Sequence, residues 1–390
     1  VFRDRKMVPL AGPANKQGRI AADNIAGIDS EYAGTQGSSV AKVFDLTAAS
    51  TGENEKSLIK RGMVRGKDYE SVIVVQNSHA GYYPGAVPMT IKLLFSPDGK
   101  KLFGAQIVGR GGVDKRIDTI GVALRLGGGI QELKDLELAY APPYSSAKDP
   151  VNMAGFTADN LLRGLVRFAP WDVKADDNTV FLDVREDAEL LALTVPGAAH
   201  IPLGQVRARL GELDRSKTVV VFCAIGVRAY NAARILMQNG FENVLVYPGG
   251  SKFYQSVHYK EYMMENDKTP APAPAAAPAA PGARAIRLDC SGLQCPGPIM
   301  KVFEAMQEMD DGQELEVSAS DPGFTRDVEA WCRRTGNTLV SKGRSGSDYT
   351  ALLRKGGNAG CTVKETPQGK TIIVFSGDLD KVLAAFIIAN

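Results

Sequence analysis

Apolar positions along this chain change period several times, and each change predicts a new structural unit. Val219, Val220, Val221 and Phe222 form a short β-branched run of the kind buried on both faces of a sheet. From Ala229 the spacing turns helical through Ala232, Ala233, Ile235 and Leu236, until Gly240 ends the predicted helix. Six residues, 223–228, lie between the two. Upstream, residues 87–95 and 101–108 read as strands flanking Ser96-Pro97-Asp98-Gly99, a hairpin turn. Val113, Ile117, Ile120 and Leu124 then predict a helix stopped by Gly127-Gly128-Gly129. Residues 8–19 lead into an earlier helix ending near Gly27. Downstream, Ile299, Val302, Phe303 and Met306 recur at helical spacing, and residues 370–378 open a further strand and helix. The whole predicts a multidomain α/β and α+β chain.

One stretch fits no such period. Residues 269–281 alternate alanine and proline, a composition that makes an extended, semi-rigid linker. Its thirteen residues would span roughly 40 Å if mostly polyproline-like.

Composition narrows the function. At 390 residues the chain exceeds one typical domain, and a net charge of +2 argues against nucleic acid or an anionic membrane as partner. No apolar run approaches the length of a membrane span. Five scattered cysteines (Cys223, Cys290, Cys295, Cys332, Cys361) do not make a disulfide framework, so a reducing cytoplasm is expected. The chain opens on Val1 without an initiator methionine and stops at Asn390 inside an apolar helical run; both ends read as cuts in a longer polypeptide.

The chemistry concentrates on Cys223. A cysteine between a buried strand and a helix sits over unpaired backbone N–H groups at the positive end of the helix dipole, and Arg228 adds a full positive charge. Both favour thiolate over thiol. Cys223-Ala224-Ile225-Gly226-Val227-Arg228 resembles the active-site loop of the rhodanese family, in which the cysteine carries a persulfide sulfur. Phe181-Leu182-Asp183-Val184-Arg185-Glu186, Ala199-His200-Ile201-Pro202, Pro248-Gly249-Gly250 and Tyr254 fit the same family, over about 168–265. The related dual-specificity phosphatases place one residue more between cysteine and arginine; the four here leave a tighter cradle suited to sulfur.

Two other stretches carry resemblances. Pro9, Leu10, Ala11 and Gly12 precede a helix whose free N-terminal donors suit the polar edge of a cofactor, or simply join a loop to a helix. This segment resembles the end of the FAD domain (1–35 here) of flavin-dependent disulfide reductases, in the coenzyme A-disulfide reductase branch. Residues 36–160 are similar to their dimerisation domain. The resemblance implies a homodimer in which Tyr82, Tyr83, Tyr140 and Tyr144, with Ser78-His79-Ala80, either reach the partner's thiol site or pack the interface. It also implies FAD, NAD(P)H and coenzyme A as ligands of the full-length protein. Neither the redox cysteine nor a Gly-x-Gly-x-x-Gly motif is present, and residues 109–112 are no substitute, being expected to lack a surrounding strand–turn–helix dinucleotide unit, so this stretch alone should reduce nothing.

Leu288-Asp289-Cys290-Ser291-Gly292-Leu293-Gln294-Cys295-Pro296-Gly297-Pro298 places Cys295 near a helix N-cap, with proline in the first turn. It resembles the TusA-like (SirA-like) sulfur carriers, whose functional cysteine precedes that proline; the unit covers 284–355, after a linker over 266–283. Cys290 is either a resolving thiol or a strand residue, and no second ligand pair supports a zinc site. Cys332 is expected to pack in a helix. Residues 356–390 resemble the start of a DsrE-like domain.

The resulting expectation is a sulfur relay within a reductase fusion. Cys223 would take sulfane sulfur from thiosulfate, polysulfide or coenzyme A persulfide and pass it to Cys295, with further sulfur-relay proteins as partners. The alternative is a non-enzymatic dimerisation and docking scaffold that keeps the rhodanese fold for recognition.

Overall fold

The computed structural model describes residues 5, 7–190, 193–258, 285–293, 297–321, 323–346 and 348–356. The expected linker, Cys295 and residues 357–390, expected to open a DsrE-like domain, lie outside them.

Helix α1 (Ala11–Ile25) starts the chain and buries none of its residues here. An antiparallel sheet follows, in the order β1-β2-β5-β4-β3, from β1 (Ser39–Val43), β2 (Leu46–Gly52), β3 (Glu70–Asn77), β4 (Pro88–Phe95) and β5 (Leu102–Gly109). The expected hairpin joins β4 to β5, with Gly99 at φ +71°. Met89, Ile91 and Leu93 alternate inward and meet Ile107, Ile120 of α3 (Val113–Arg125), Leu133 of α4 (Ile130–Asp135) and Val151 of α5 (Pro150–Leu162). On the opposite face Leu94 packs with Tyr69, Phe103 and Leu58 of α2 (Glu55–Lys60).

The glycines at 109–112 form no dinucleotide unit, although a strand and a helix flank them. Residues 109–112 do sit between a strand and a helix, β5 and α3. They make no dinucleotide turn, because β5 pairs antiparallel on both sides and a βαβ unit needs a parallel crossover. The turn is also filled: a Cβ on Gly112 would stand 2.3 Å from the Arg116 guanidinium, which donates to the Gly112 carbonyl.

The second unit is a parallel sheet in the order β7-β6-β8-β9. It comprises β6 (Thr179–Asp183), α6 (Asp187–Leu190), β7 (Ala199–His200), β8 (Thr218–Phe222), α7 (Val227–Gln238), β9 (Val244–Val246) and α8 (Gly250–Val257). Val219, Val220, Val221 and Phe222 are all buried, as a central strand covered on both faces requires. Helix α7 begins at Val227, earlier than the apolar period implies, so Arg228 belongs to its first turn. Helix α8 packs back on β3, joining the first two units.

The third unit runs β10 (Ile286–Cys290), α9 (Gly297–Glu308), β11 (Glu314–Ala319), α10 (Phe324–Thr335), β12 (Thr338–Ser345) and β13 (Asp348–Arg354). Its sheet order is β10-β11-β13-β12, parallel only between β10 and β11. Val302, Leu315, Val317, Trp331 and Leu353 form its core, and Cys332 is buried among them as expected. Among the described residues no helix is long and apolar enough to cross a membrane.

Candidate sulfur site and tyrosine pair

Strand β8 delivers Cys223 at its C-terminal end, where the chain turns into α7. The residue is 1% exposed, and its Sγ accepts from the N–H of Gly226 at 3.2 Å and of Ala229 at 3.4 Å. Gly226 caps α7 with φ +113°, a backbone that L side chains rarely adopt. That conformation lets the loop curl back so that the first free amides of α7 point at sulfur. Ala224 is buried beneath the loop, whereas Ile225 and Val227 are exposed at its rim.

A second helix end braces the first. The N–H groups of Ser251 and Lys252 donate to the carbonyls of Cys223 (2.7 Å) and Ala224 (3.2 Å). The approach demands glycine at 250: a Cβ there would lie 2.4 Å from the Cys223 carbonyl oxygen, and its φ is +66°. Tyr254 of α8 closes the far side of the sheet against Phe181 and Tyr247.

The positive charge that Arg228 adds is held by a partner. Its guanidinium grips Glu189 of α6 through two hydrogen bonds, 2.6 and 2.8 Å, and Glu189 is buried. The Glu189 hydrogen bond holds Arg228 above its ordinary basicity; burial opposes this, and the neighbouring Cys223 and Glu186 add to it. Glu189 also accepts from the Glu186 N–H, closing the α6 turn. The α6 segment is fixed in turn by the buried Asp183–Arg185 pair, whose arginine donates to the Leu193 carbonyl, and by His200 bonded to the Arg185 carbonyl. Sequence reasoning missed Glu189. Its only signal is an acid three residues after Glu186 at a helix start.

In the first unit the Tyr82 and Tyr140 hydroxyls are 3.1 Å apart and both side chains are exposed. This hydrogen bond raises the Tyr140 pKa, with burial adding less. Tyr144 is 72% exposed and Tyr83 stacks edge-on with His79. The loops that carry the pair are tied by buried Arg116, which donates to the Ser78 carbonyl (2.9 Å), Ser145 Oγ (3.1 Å) and Asp149 (2.8 Å). Burial pushes the Asp149 carboxyl up, but hydrogen bonds from Arg116 and Ser145 outweigh it and hold the group below its ordinary value. The Ala80 N–H reaches the Pro142 and Ser145 carbonyls, which brings residues 80 and 140–145 side by side.

Pro9 and Leu10 precede α1, and Ala11 and Gly12 form its exposed first turn. These residues offer only backbone donors, which suits one polar edge of a flavin and no more. Cys290 ends β10 in the apolar core, where burial pushes its thiol up to about 11, with Asp289 adding to the shift. That favours the strand-residue reading over a resolving thiol. Among the described residues no cluster of three metal-ligating side chains forms.

The chain thus joins an antiparallel-sheet unit with a tyrosine pair, a parallel-sheet unit with a cysteine cradle and a small βαβαββ unit. Family profiles agree: residues 38–150 match the pyridine nucleotide-disulphide oxidoreductase dimerisation domain, 171–256 the rhodanese-like domain and 286–355 sulfurtransferase TusA. The chain carries all three domains in one polypeptide. It is 40% identical over 152 residues to coenzyme A disulfide reductase of Staphylococcus epidermidis, covering 39% of this chain and 33% of that protein. Among solved structures, reduced CoADR-RHD of Bacillus anthracis superposes with a TM-score of 0.62 at 48% identity, over 67% of this chain and 46% of that one. The NAD-dependent persulfide reductase from A. fulgidus gives 0.59 at 40% identity, over 64% and 45%. The chain thus spans about a third of the length of the curated relatives it matches.

Proposed function

We propose that this chain is the sulfur-transfer portion of a flavin- and NAD(P)H-dependent coenzyme A-disulfide or persulfide reductase. Cys223 takes up sulfane sulfur and Cys295 receives it. The observation that carries the reading is the pair of backbone N–H groups on Cys223 Sγ. In the first step the Cys223 thiolate attacks the outer sulfur of thiosulfate; a new S–S bond forms, the old one breaks and sulfite leaves with its electron pair. The Gly226 and Ala229 amides stabilise anionic sulfur before and after the step. In the second, the Cys295 thiolate attacks the outer sulfur of the Cys223 persulfide, and Cys223 returns as thiolate.

Arg228 is a positioning residue. Clamped by Glu189, it fixes the first turn of α7 and so the direction of the amides. In a homodimer the hydroxyls of Tyr82 and Tyr140 would hydrogen-bond a leaving thiolate without ionising themselves. FAD supplies electron transfer when bound, and this chain offers it the α1 N-terminus.

The test is mass spectrometry after thiosulfate treatment. One sulfur atom should be added to the Cys223 peptide and later to the Cys295 peptide, and Cys223→Ser should abolish both. Sulfur on Cys295 at wild-type rate in Cys223→Ser would overturn the relay. No added sulfur on a folded wild-type chain would favour the scaffold alternative.

A further inference from the structure

The TusA unit rests on both other units through contacts that sulfur chemistry alone does not require. Helix α9, which Cys295 precedes by two residues in the sequence, packs against α6, the short helix that carries Glu189. The turn before α9 meets the dimerisation unit instead. A Cβ on Gly292 would lie 3.1 Å from the carbonyl oxygen of Tyr82, and Gly292 has φ +80°. Both the left-handed backbone and the close approach call for glycine there. Beside this contact, Leu293, Ser320 and Asp321 share a narrow crevice with Asn77 at the end of β3, Ala86 of the loop after it and Lys252 of α8. Lys252 and Asp321 bring opposite charges to it. The Lys252 N–H also donates to the Ala224 carbonyl, so one helix end lines the crevice and braces the cysteine loop.

We propose that residues 77–86, together with α6 and the start of α8, form a docking platform for the chain's own TusA unit. The platform holds that unit at the mouth of the Cys223 loop for the transfer step. This rests on the relay reading above and adds a role for the dimerisation domain: it orients the acceptor. A linker alone raises the local concentration of the carrier but leaves its orientation to chance. Contacts from α9 and from the turn before it remove that search, and transfer between thiols depends steeply on alignment.

The experiment uses the whole chain. A benzophenone amino acid at position 82 should cross-link on illumination to the peptide around Gly292, with a yield independent of dilution. In parallel, Asp321→Lys and Asn77→Arg should leave thiosulfate loading of Cys223 within about twofold of wild type. Both should slow the appearance of sulfur on Cys295 by about tenfold or more, as expected when an oriented encounter becomes a random one. Absence of the cross-link, or unchanged transfer in both variants, would overturn the platform. A cross-link from position 82, together with a wild-type chain whose Cys295 never gains sulfur, would instead overturn the relay reading and leave the docking surface standing.

Discussion

Cys223 and Cys290 each end a β-strand, and each is almost wholly buried, yet their surroundings ask opposite things of the sulfur. At Cys223 the chain turns into α7 and two N–H groups converge on Sγ. At Cys290 the sulfur faces Val302, Val317 and other members of an apolar core, beside Asp289, and its pKa rises to about 11. Burial alone makes a thiol inert, because it removes water from the anion and returns nothing. Burial against oriented amides replaces the lost water with fixed donors. Equal burial therefore leaves the two sulfurs in different surroundings.

The comparison breaks most directly at Cys223 itself. Cys223→Ser should lower sulfur loading from thiosulfate by on the order of a thousandfold or more, because a hydroxyl is far less nucleophilic and carries no sulfane sulfur. Cys290→Ala should leave loading within about twofold, since a buried neutral thiol takes no part in it. A large loss in Cys290→Ala, in protein shown to be folded by circular dichroism, would equate the two sites and end the distinction.

The next effect is on stability. The folded pKa of Cys290 lies above its unfolded value of 9.0, so the folded state holds the proton more tightly. The stabilisation is fully present below pH 9.0 and is lost as pH rises through about 11. It amounts to about 2–3 kcal/mol. Urea unfolding of the TusA unit, followed by Trp331 fluorescence across this range, should show the decline in wild type and not in Cys290→Ala.

A smaller change is expected at the clamp. Arg228→Ala leaves Glu189 buried and unpaired near the cysteine loop, and alkylation of Cys223 by iodoacetamide at neutral pH should slow by about tenfold. Adding Glu189→Gln should restore much of the rate, a coupling that a double-mutant cycle reads directly. Additive losses would show that the arginine charge acts on sulfur by itself.

The smallest effect is expected at Gly226. A Cβ there meets open space, so only the backbone at φ +113° resists substitution. Gly226→Ala should cost about 1–2 kcal/mol, or tilt the loop and slow loading several-fold. Wild-type stability and loading together would show that the amides need no left-handed cap.

Period and turn chemistry made the local units legible. The β4–β5 hairpin and the β8–loop–α7 join follow from alternation, a Pro-Asp-Gly turn and a glycine stop, all written within a few neighbouring residues. Partners distant in the chain were not legible. Glu189 meets Arg228 across 39 residues, and Tyr82 meets Tyr140 across 58. Nothing in the spacing of either pair announces the contact. The strand–turn–helix at 109–112 shows the same limit from the other side. Its flanking strand and helix are local features, whereas the antiparallel pairing of β5 and the Arg116 guanidinium in the turn are tertiary ones.

By itself the sequence determined where strands, helices and turns form and that Cys223 stands between a buried strand and a helix, because these depend on side-chain period and backbone preference over short stretches. Only the tertiary structure decided what each charge and thiol experiences. Packing put Glu189 against Arg228, enclosed Cys290 in an apolar core and set the TusA unit against two other domains. Electrostatic environment is a sum over neighbours in space, and most of those neighbours are far away along the chain.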